Sequence, residues 1–242
     1  MALFEPLAGR VVLVVGGSGG LGSATVDLLA GEGAGLVLAY RRNRQRAERF
    51  EHVARLEQAD ITVAADRKRL LDACAGVYGL AVFAGDPARV SDPSDLEESI
   101  RRSHEVNFLG PILLAREAAA RMKVAGIAGS IVLLSSMQGV ALFPNSTAYA
   151  SSKASLVHAA RILAKECRGP SGVRINVVAP GVNRAGMAEA SIASGKYDQY
   201  LAGGTIGRFG RAEDVARAVR FFLEPDNYVT GQVLTVDGGL TL

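Results

Sequence analysis

Residues Val11–Val15 form an unbroken aliphatic run that leads straight into Gly16-Gly17-Ser18-Gly19-Gly20-Leu21-Gly22. Five consecutive apolar residues, four of them β-branched, suit a strand buried on both faces of a parallel sheet. A helix is read next, over Ser23–Gly31, closed by Gly31 and Gly33. Glycines between a first strand and a first helix allow a tight turn and bring backbone N–H groups, with the positive helix end, against a pyrophosphate. A chain that begins this way is committed to winding helices around parallel strands.

The rest of the chain keeps that alternation. Strands are expected at Leu36–Tyr40, Ile61–Ala64, Gly79–Ala84, Ser130–Leu134, Val173–Val178 and Val233–Val236, and helices at Arg44–Gln58, Arg67–Cys74, Ser99–Gly126 (interrupted by Pro111), Thr147–Arg168 and Ala212–Leu223. Asp92 or Ser94 could cap the helix with Glu97 and Glu98 in its first turn. Right-handed crossovers then give one doubly wound, Rossmann-type α/β domain over residues 1–242, with about seven parallel strands and helices on both faces. The least regular piece, Asn183–Gly210, carries glycines at 186, 195, 203, 204, 207 and 210 and reads as a functional lid.

Composition excludes several classes. With 49% hydrophobic and 21% charged residues in 242, the chain is not disordered. No stretch approaches the ~18 apolar residues of a membrane span, and Met1-Ala2-Leu3-Phe4-Glu5-Pro6 lacks the charged and apolar regions of a signal peptide. Two cysteines, Cys74 and Cys167, cannot build a disulfide framework, which favours a reducing cytoplasm. His52, His104 and His158 are scattered without metal-ligand spacing, and neither cysteine has a paired His, so no metal site and no cysteine nucleophile is expected. The net charge of +3 rests on arginine, with 22 Arg and 5 Lys counted. Arg41, Arg42, Arg44, Arg46 and Arg49 fall together and are open to three readings: a nucleic-acid patch, a cofactor-phosphate site or a solvated face.

The glycine spacing is Gly-x3-Gly-x-Gly (Gly16, Gly20, Gly22), not the Gly-x-Gly-x-x-Gly of the common dinucleotide fingerprint. In this spacing the chain resembles the short-chain dehydrogenase/reductase family. Tyr149-Ala150-Ser151-Ser152-Lys153 places a phenol and an ammonium four residues apart, on one helix face. A phenol with a pKa of about 10 is a poor acid–base at neutral pH, and a nearby Lys⁺ stabilises its ionised form. Ser136 ends the preceding strand at the separation the family shows between its Ser and Tyr.

The resemblance implies roles. Tyr149 would exchange a proton with the substrate oxygen, Ser136 would orient that oxygen, and Lys153 would lower the Tyr149 pKa and bind the nicotinamide ribose. Asn107 matches the Asn that kinks the long helix and holds a water linking Lys153 to solvent, while Ser135 would point to the other side of the strand. Gly16, Ser18, Gly20, Leu21 and Gly22 would cradle the cofactor diphosphate, Asp66 would meet the adenine, and Ala84, Gly85, Pro180, Gly181 and Val182 would face the nicotinamide half. Tyr40-Arg41-Arg42 ends the second strand with no acid, so NADP(H) is expected over NAD(H), with Arg41 and Arg42 on the 2′-phosphate. That assignment leaves the other three arginines of the cluster to a solvated face and no nucleic-acid partner. The ending through Asp237-Gly238-Gly239 resembles one that builds a subunit interface in relatives, which implies a homotetramer or otherwise a dimer.

Departures are local. Val82-Phe83-Ala84-Gly85 stands where relatives carry Asn-Asn-Ala-Gly, Val15 and Ala185 replace threonines, and Gly19 replaces a basic residue common in NADP-dependent relatives. The expected reaction is reduction of a ketone, with 3-oxoacyl-[acyl-carrier-protein] reductases as the most similar subfamily. A reductase or dehydrogenase of a free ketone or alcohol (steroid, sugar, polyketide) and a catalytically silent NADP(H)-binding protein are the alternatives. Ile127 and Ser171 occupy positions where carrier-protein reductases place arginines, and Tyr197 and Tyr200 in the lid are candidates for a pocket wall.

Overall fold

A computed structural model describes residues 6–89 and 92–242; most of the opening hexapeptide read for a signal peptide lies outside the described residues. Seven strands form one parallel sheet in the order β3-β2-β1-β4-β5-β6-β7. They are β1 (Val11–Val15), β2 (Gly35–Tyr40), β3 (Ala54–Gln58), β4 (Val77–Val82), β5 (Ser130–Leu134), β6 (Arg174–Pro180) and β7 (Val233–Val236). The aliphatic run of β1 is buried on both sides as its composition demands. Leu13 and Val15 join the core beneath helices α3 (Ala64–Asp72), α5 (Gly110–Val124) and α6 (Thr147–Cys167). Val12 and Val14 join the opposite core beneath α1 (Gly20–Gly31), α2 (Arg44–Glu48) and α9 (Ala212–Leu223).

The sheet grows outward in both directions from the β1/β4 pair, so the carboxyl ends of these two strands flank a crevice at the switch point. The remaining helices are α4 (Leu96–His104), α7 (Glu189–Ala193) and α8 (Asp198–Ala202).

Two expected elements are corrected. The charged stretch 44–58 is not one helix: α2 stops at Glu48, Phe50 is buried as an anchor, and Ala54–Gln58 is the edge strand β3, paired with β2 from Leu36↔Ala54 to Tyr40↔Gln58. Its charged residues suit a helix by propensity, but at an edge the burial of Ala54 and the packing of Leu56 decide the conformation. Ile61–Ala64 is not a strand. The Asp60 carboxylate accepts from the Thr62 amide at 3.0 Å and hydroxyl at 2.7 Å, folding the β-branched run into a turn that leads into α3.

Smaller shifts follow local chemistry. Helix α1 begins at Gly20, α3 spans Ala64–Asp72, and β4 ends at Val82, so that Ala84 lies in the turn beyond the strand. The long helix expected over Ser99–Gly126 is α4 and α5 joined by a π-turn at Glu105–Leu109, with Pro111 in the first turn of α5. The lid is partly helical, its short α7 and α8 separated by Gly195 at φ +75°.

Candidate active site

Ser136 follows β5 in extended conformation, placed there because the Ser135 amide continues the ladder to Val178 O at 2.8 Å. Its Oγ accepts from the Gln138 amide at 3.2 Å and its hydroxyl faces the Tyr149 phenol. Tyr149 lies in the first turn of α6 and Lys153 one turn later, the Nζ 5.9 Å from the phenol ring centroid. Lys153 is 3% exposed and its Nζ donates to Leu134 O at 2.8 Å. On the far side of the strand end, Ser135 Oγ donates to Lys153 O at 3.0 Å, pinning α6 to β5 at the lysine itself.

Burial sets the electrostatics of this set. It pushes the Tyr149 phenol up to about 12, offset in part by the Ser136 hydroxyl, which favours the phenolate. It pulls Lys153 down to about 8. At neutral pH the pair is therefore a protonated phenol beside a mostly cationic amine. That is the state required to hand a proton to a carbonyl oxygen as charge builds on it.

Asn107 is fully buried in the π-turn, where the Gly110 amide reaches back five residues to Glu105 O. Its Oδ1 accepts from the Asp86 amide at 2.8 Å, and its Nδ2 donates to Asp86 O and Ser103 Oγ, both at 2.9 Å. Ser103 and Ser152 share a hydroxyl contact at 2.9 Å, and Ser152 Oγ donates to Tyr149 O at 2.7 Å. A buried polar chain thus runs from Asn107 to the backbone of the tyrosine.

The glycine turn fits a diphosphate. Gly16 has φ +75°, and a Cβ there would lie 3.0 Å from Ala84 N. A Cβ on Gly20 would lie 2.3 Å from Gly186 N, and one on Gly22 2.5 Å from Gly16 O. No side chain caps α1 and no acid sits in its first turn, so its leading N–H groups and positive end, beside Ser18 and Leu21, are available to an anion. Gly22→Ala is expected to lower stability by about 1–3 kcal/mol, because the methyl would meet backbone; urea unfolding checks this.

At the adenine end, Arg41 lies 3.6 Å from Asp60, and Arg42 is exposed beside it. Asp66 sits in the first turn of α3 with both oxygens engaged, one by the Asp60 amide and one by Arg69, each at 2.7 Å, and these hold its carboxyl below the usual range. Asp60, which sequence reasoning passed over, is the carboxylate at the sheet rim next to Arg41. Its signal was its place directly after β3, hidden by the misread strand.

On the side expected to face the nicotinamide, Gly85 leaves room between the side chains around it. A Cβ on Gly85 would lie 3.2 Å from Asn107 Oδ1 and 3.8 Å from Lys153 Nζ. Phe83, the departure from Asn, packs with the α1/α9 core. Beyond Pro180, the Gly181 amide donates to Val236 O at 2.9 Å, and Val182 is buried with Met137, Ile206, Phe209 and Leu240 beneath the lid.

Other candidates stay outside. Cys74 is buried in the core, its thiol pushed up to about 12, and Cys167 is buried as well. Among the described residues no three His, Cys, Asp or Glu side chains gather to hold a metal, and no helix is long and apolar enough to cross a membrane.

A family model described as Enoyl-(Acyl carrier protein) reductase matches residues 16–241. The chain is 34% identical to the NADPH-dependent aldehyde reductase-like protein, chloroplastic, of Arabidopsis thaliana, over 97% of this chain and 95% of that protein. It is 32% identical to the 3-oxoacyl-[acyl-carrier-protein] reductase of Rattus norvegicus, over 96% and 98% respectively. A solved structure of a short-chain type dehydrogenase/reductase from Mycobacterium ulcerans superposes with a TM-score of 0.90 at 28% identity, covering 98% of this chain and 91% of that one.

Proposed function

The chain belongs to the short-chain dehydrogenase/reductase family of oxidoreductases acting on CH–OH and C=O groups, and from that premise we propose that it reduces a ketone to a secondary alcohol with NADP(H), as a 3-oxoacyl thioester reductase. The observation that carries this reading is the Tyr149 phenol facing the Ser136 hydroxyl, with the buried Lys153 Nζ one helix turn away and 5.9 Å from the ring centroid. A bound nicotinamide supplies the hydride. Tyr149 gives the proton to the carbonyl oxygen, Ser136 orients that oxygen, and Lys153 stabilises the phenolate left behind. Asn107 and its Ser103–Ser152 chain hold the π-turn against α6, the helix that carries Tyr149 and Lys153.

Gly16, Ser18, Gly20, Leu21 and Gly22 would hold the diphosphate, and Ala84, Gly85, Pro180, Gly181 and Val182 the nicotinamide half. Asp66 would meet the adenine, beside Asp60, whose carboxylate is likewise engaged within the chain. Arg41 and Arg42 directly follow β2, which ends in Tyr40 rather than a carboxylate, and this supports a 2′-phosphate. The double variant Arg41→Ala/Arg42→Ala is expected to raise the NADPH Kd at least about tenfold, from lost charge-assisted contacts, with NADH binding little changed; cofactor fluorescence titration reads both.

A second reading, reduction of a free ketone, is favoured by Ile127 and Ser171, which offer no cation to a carrier protein, and by the stacked Tyr197–Tyr200 pair in the lid. The exposed Ile162 on α6 and Phe221, Tyr228 and Leu234 around the β7 edge support a homotetramer. The two free buried cysteines support a cytoplasmic location.

The test is consumption of NADPH and, separately, NADH by the purified protein with an acetoacetyl thioester and a panel of free ketones. Thioester turnover with NADPH preferred supports the first reading, and turnover of free ketones alone selects the second. Tight NADPH binding with no turnover of any carbonyl favours a silent binding protein.

A further inference from the structure

The loop between β4 and α4 holds an arginine that proton and hydride transfer leave unused. The start of this loop is clamped. The backbone of Asp86 exchanges two hydrogen bonds with the Asn107 carboxamide, and its carboxylate accepts from the Ala88 amide at 2.7 Å and from Arg102 Nε at 3.2 Å. Ala88 is buried at φ +47°, a left-handed conformation that a non-glycine residue adopts when its surroundings enforce it, and such strain gathers at ligand sites. The clamp fixes the direction in which Arg89 leaves the loop.

Arg89 Nη2 crosses to the lid and donates to Met187 O at 3.2 Å. Met187 Cε lies 3.6 Å from the point where Gly85 would carry a Cβ, and that point is 3.8 Å from Lys153 Nζ. Arg89 thus holds the backbone of the lid residue whose side chain reaches toward Gly85 and Lys153. Among the described residues no carboxylate pairs with the Arg89 guanidinium, so most of its donor fork is free. Arg41 and Arg42, proposed above for the cofactor phosphate, and Arg102 line the same cleft of about 500 Å³, where Asp86 is the single lining carboxylate. Arg102 is engaged by Asp86 and Arg41 faces Asp60, whereas Arg42 and Arg89 have no ion-pair partner among the described residues. Such a cleft concentrates anions. On the lid side, burial pushes the Tyr197 phenol up, and the Arg89 charge opposes this as a lesser influence. Phe143, Ile192, Tyr200 and Leu201 pack with Tyr197 against the cluster of Met137, Val182, Ile206, Phe209 and Leu240.

We propose that Arg89 is a specificity-determining residue that binds an anionic group of the substrate, at the end remote from the carbonyl that Tyr149 serves. This rests on the reductase reading above and narrows its substrate class. A guanidinium fork matches a carboxylate or a phosphate oxygen pair, so the anion is the carboxylate of an oxo acid or a phosphate of a pantetheine thioester.

The experiment measures kcat/KM at saturating NADPH for two matched pairs: acetoacetyl-coenzyme A against its N-acetylcysteamine counterpart, and a cyclic oxo acid against its methyl ester. Wild type is expected to prefer the anionic member of one pair at least about tenfold, and R89A to bring that preference to within about twofold. The neutral member and the NADPH Kd stay unchanged in R89A, and R89K, which keeps the charge, retains part of the preference. The pair that responds identifies the source of the anion. Equal losses on both members, or weakened NADPH binding with the preference intact, would overturn the proposal. If neither pair is turned over, the reductase reading fails for these substrates, and Arg89 is judged on binding to the NADPH-loaded protein. Hexanoate must then bind more tightly than hexanamide in wild type but not in R89A; no difference in wild type overturns the proposal.

Discussion

Tyr149→Phe is expected to lower turnover of any carbonyl substrate by a factor of about 10³ or more, while NADPH binding is little changed. The variant keeps the ring and its packing and removes one oxygen. Ser136 still reaches the substrate oxygen, and Lys153 still donates to Leu134 O rather than to the substrate. Hydride transfer without a proton donor would leave an alkoxide in a site where burial already disfavours the phenolate enough to push the tyrosine to about 12. Parallel steady-state kinetics and fluorescence titration separate the two effects. Activity within tenfold of wild type would remove Tyr149 from the chemistry.

Lys153→Met is expected to abolish turnover and, at neutral pH, to make the folded protein more stable. The lysine is charged and buried, and its pKa of about 8 against an ordinary 10.5 corresponds to a cost of about 3 kcal/mol. Loss of the hydrogen bond to Leu134 O returns about 1–2 kcal/mol of that, leaving a net gain of about 1–2 kcal/mol at pH 7. The pH dependence has a definite sign. Between pH 8 and 10.5 the unfolded chain holds the lysine proton and the folded chain has released it, so wild-type stability rises with pH. Below pH 8 the whole cost is present. The variant lacks this rise, and the gap between the two proteins should move by about 3 kcal/mol toward wild type across that window. Urea unfolding at pH 7 and pH 10 measures it. A gap that stays constant would show that the ammonium is not desolvated.

Much of this was legible in the residues. The run Val11–Val15, the strand Ser130–Leu134 and the amphipathic helix Ala212–Leu223 appear with the boundaries read from sequence, because each buries a continuous face, and the edge strand Val233–Val236 appears with its boundaries as well. Ser136, Tyr149, Lys153 and Asn107 were read from type, spacing and family resemblance; the fold sets Ser136 facing Tyr149 with Lys153 one turn on, and links Asn107 to Tyr149 O through Ser103 and Ser152. What escaped was decided by contacts distant in sequence. The strand Ala54–Gln58 exists because β2 offers it an edge, and Ile61 turns because Asp60 captures Thr62. Asp86, Arg89 and Arg102 carry no motif: their arrangement depends on Asn107 and Met187, which lie far along the chain.

The lid has its own consequence. It leaves the body near Gly186 at φ +62° and returns near Gly204 at φ +70°, while Ser136 follows β5 and Tyr149 and Lys153 sit on α6. The segment between those glycines can diverge without disturbing proton transfer. Its joints behave as splice points, so replacing residues 187–203 with the equivalent segment of a relative would exchange the choice of substrate while the engine beneath keeps running. In evolutionary terms, selection on diet and selection on chemistry act on separate stretches of this chain.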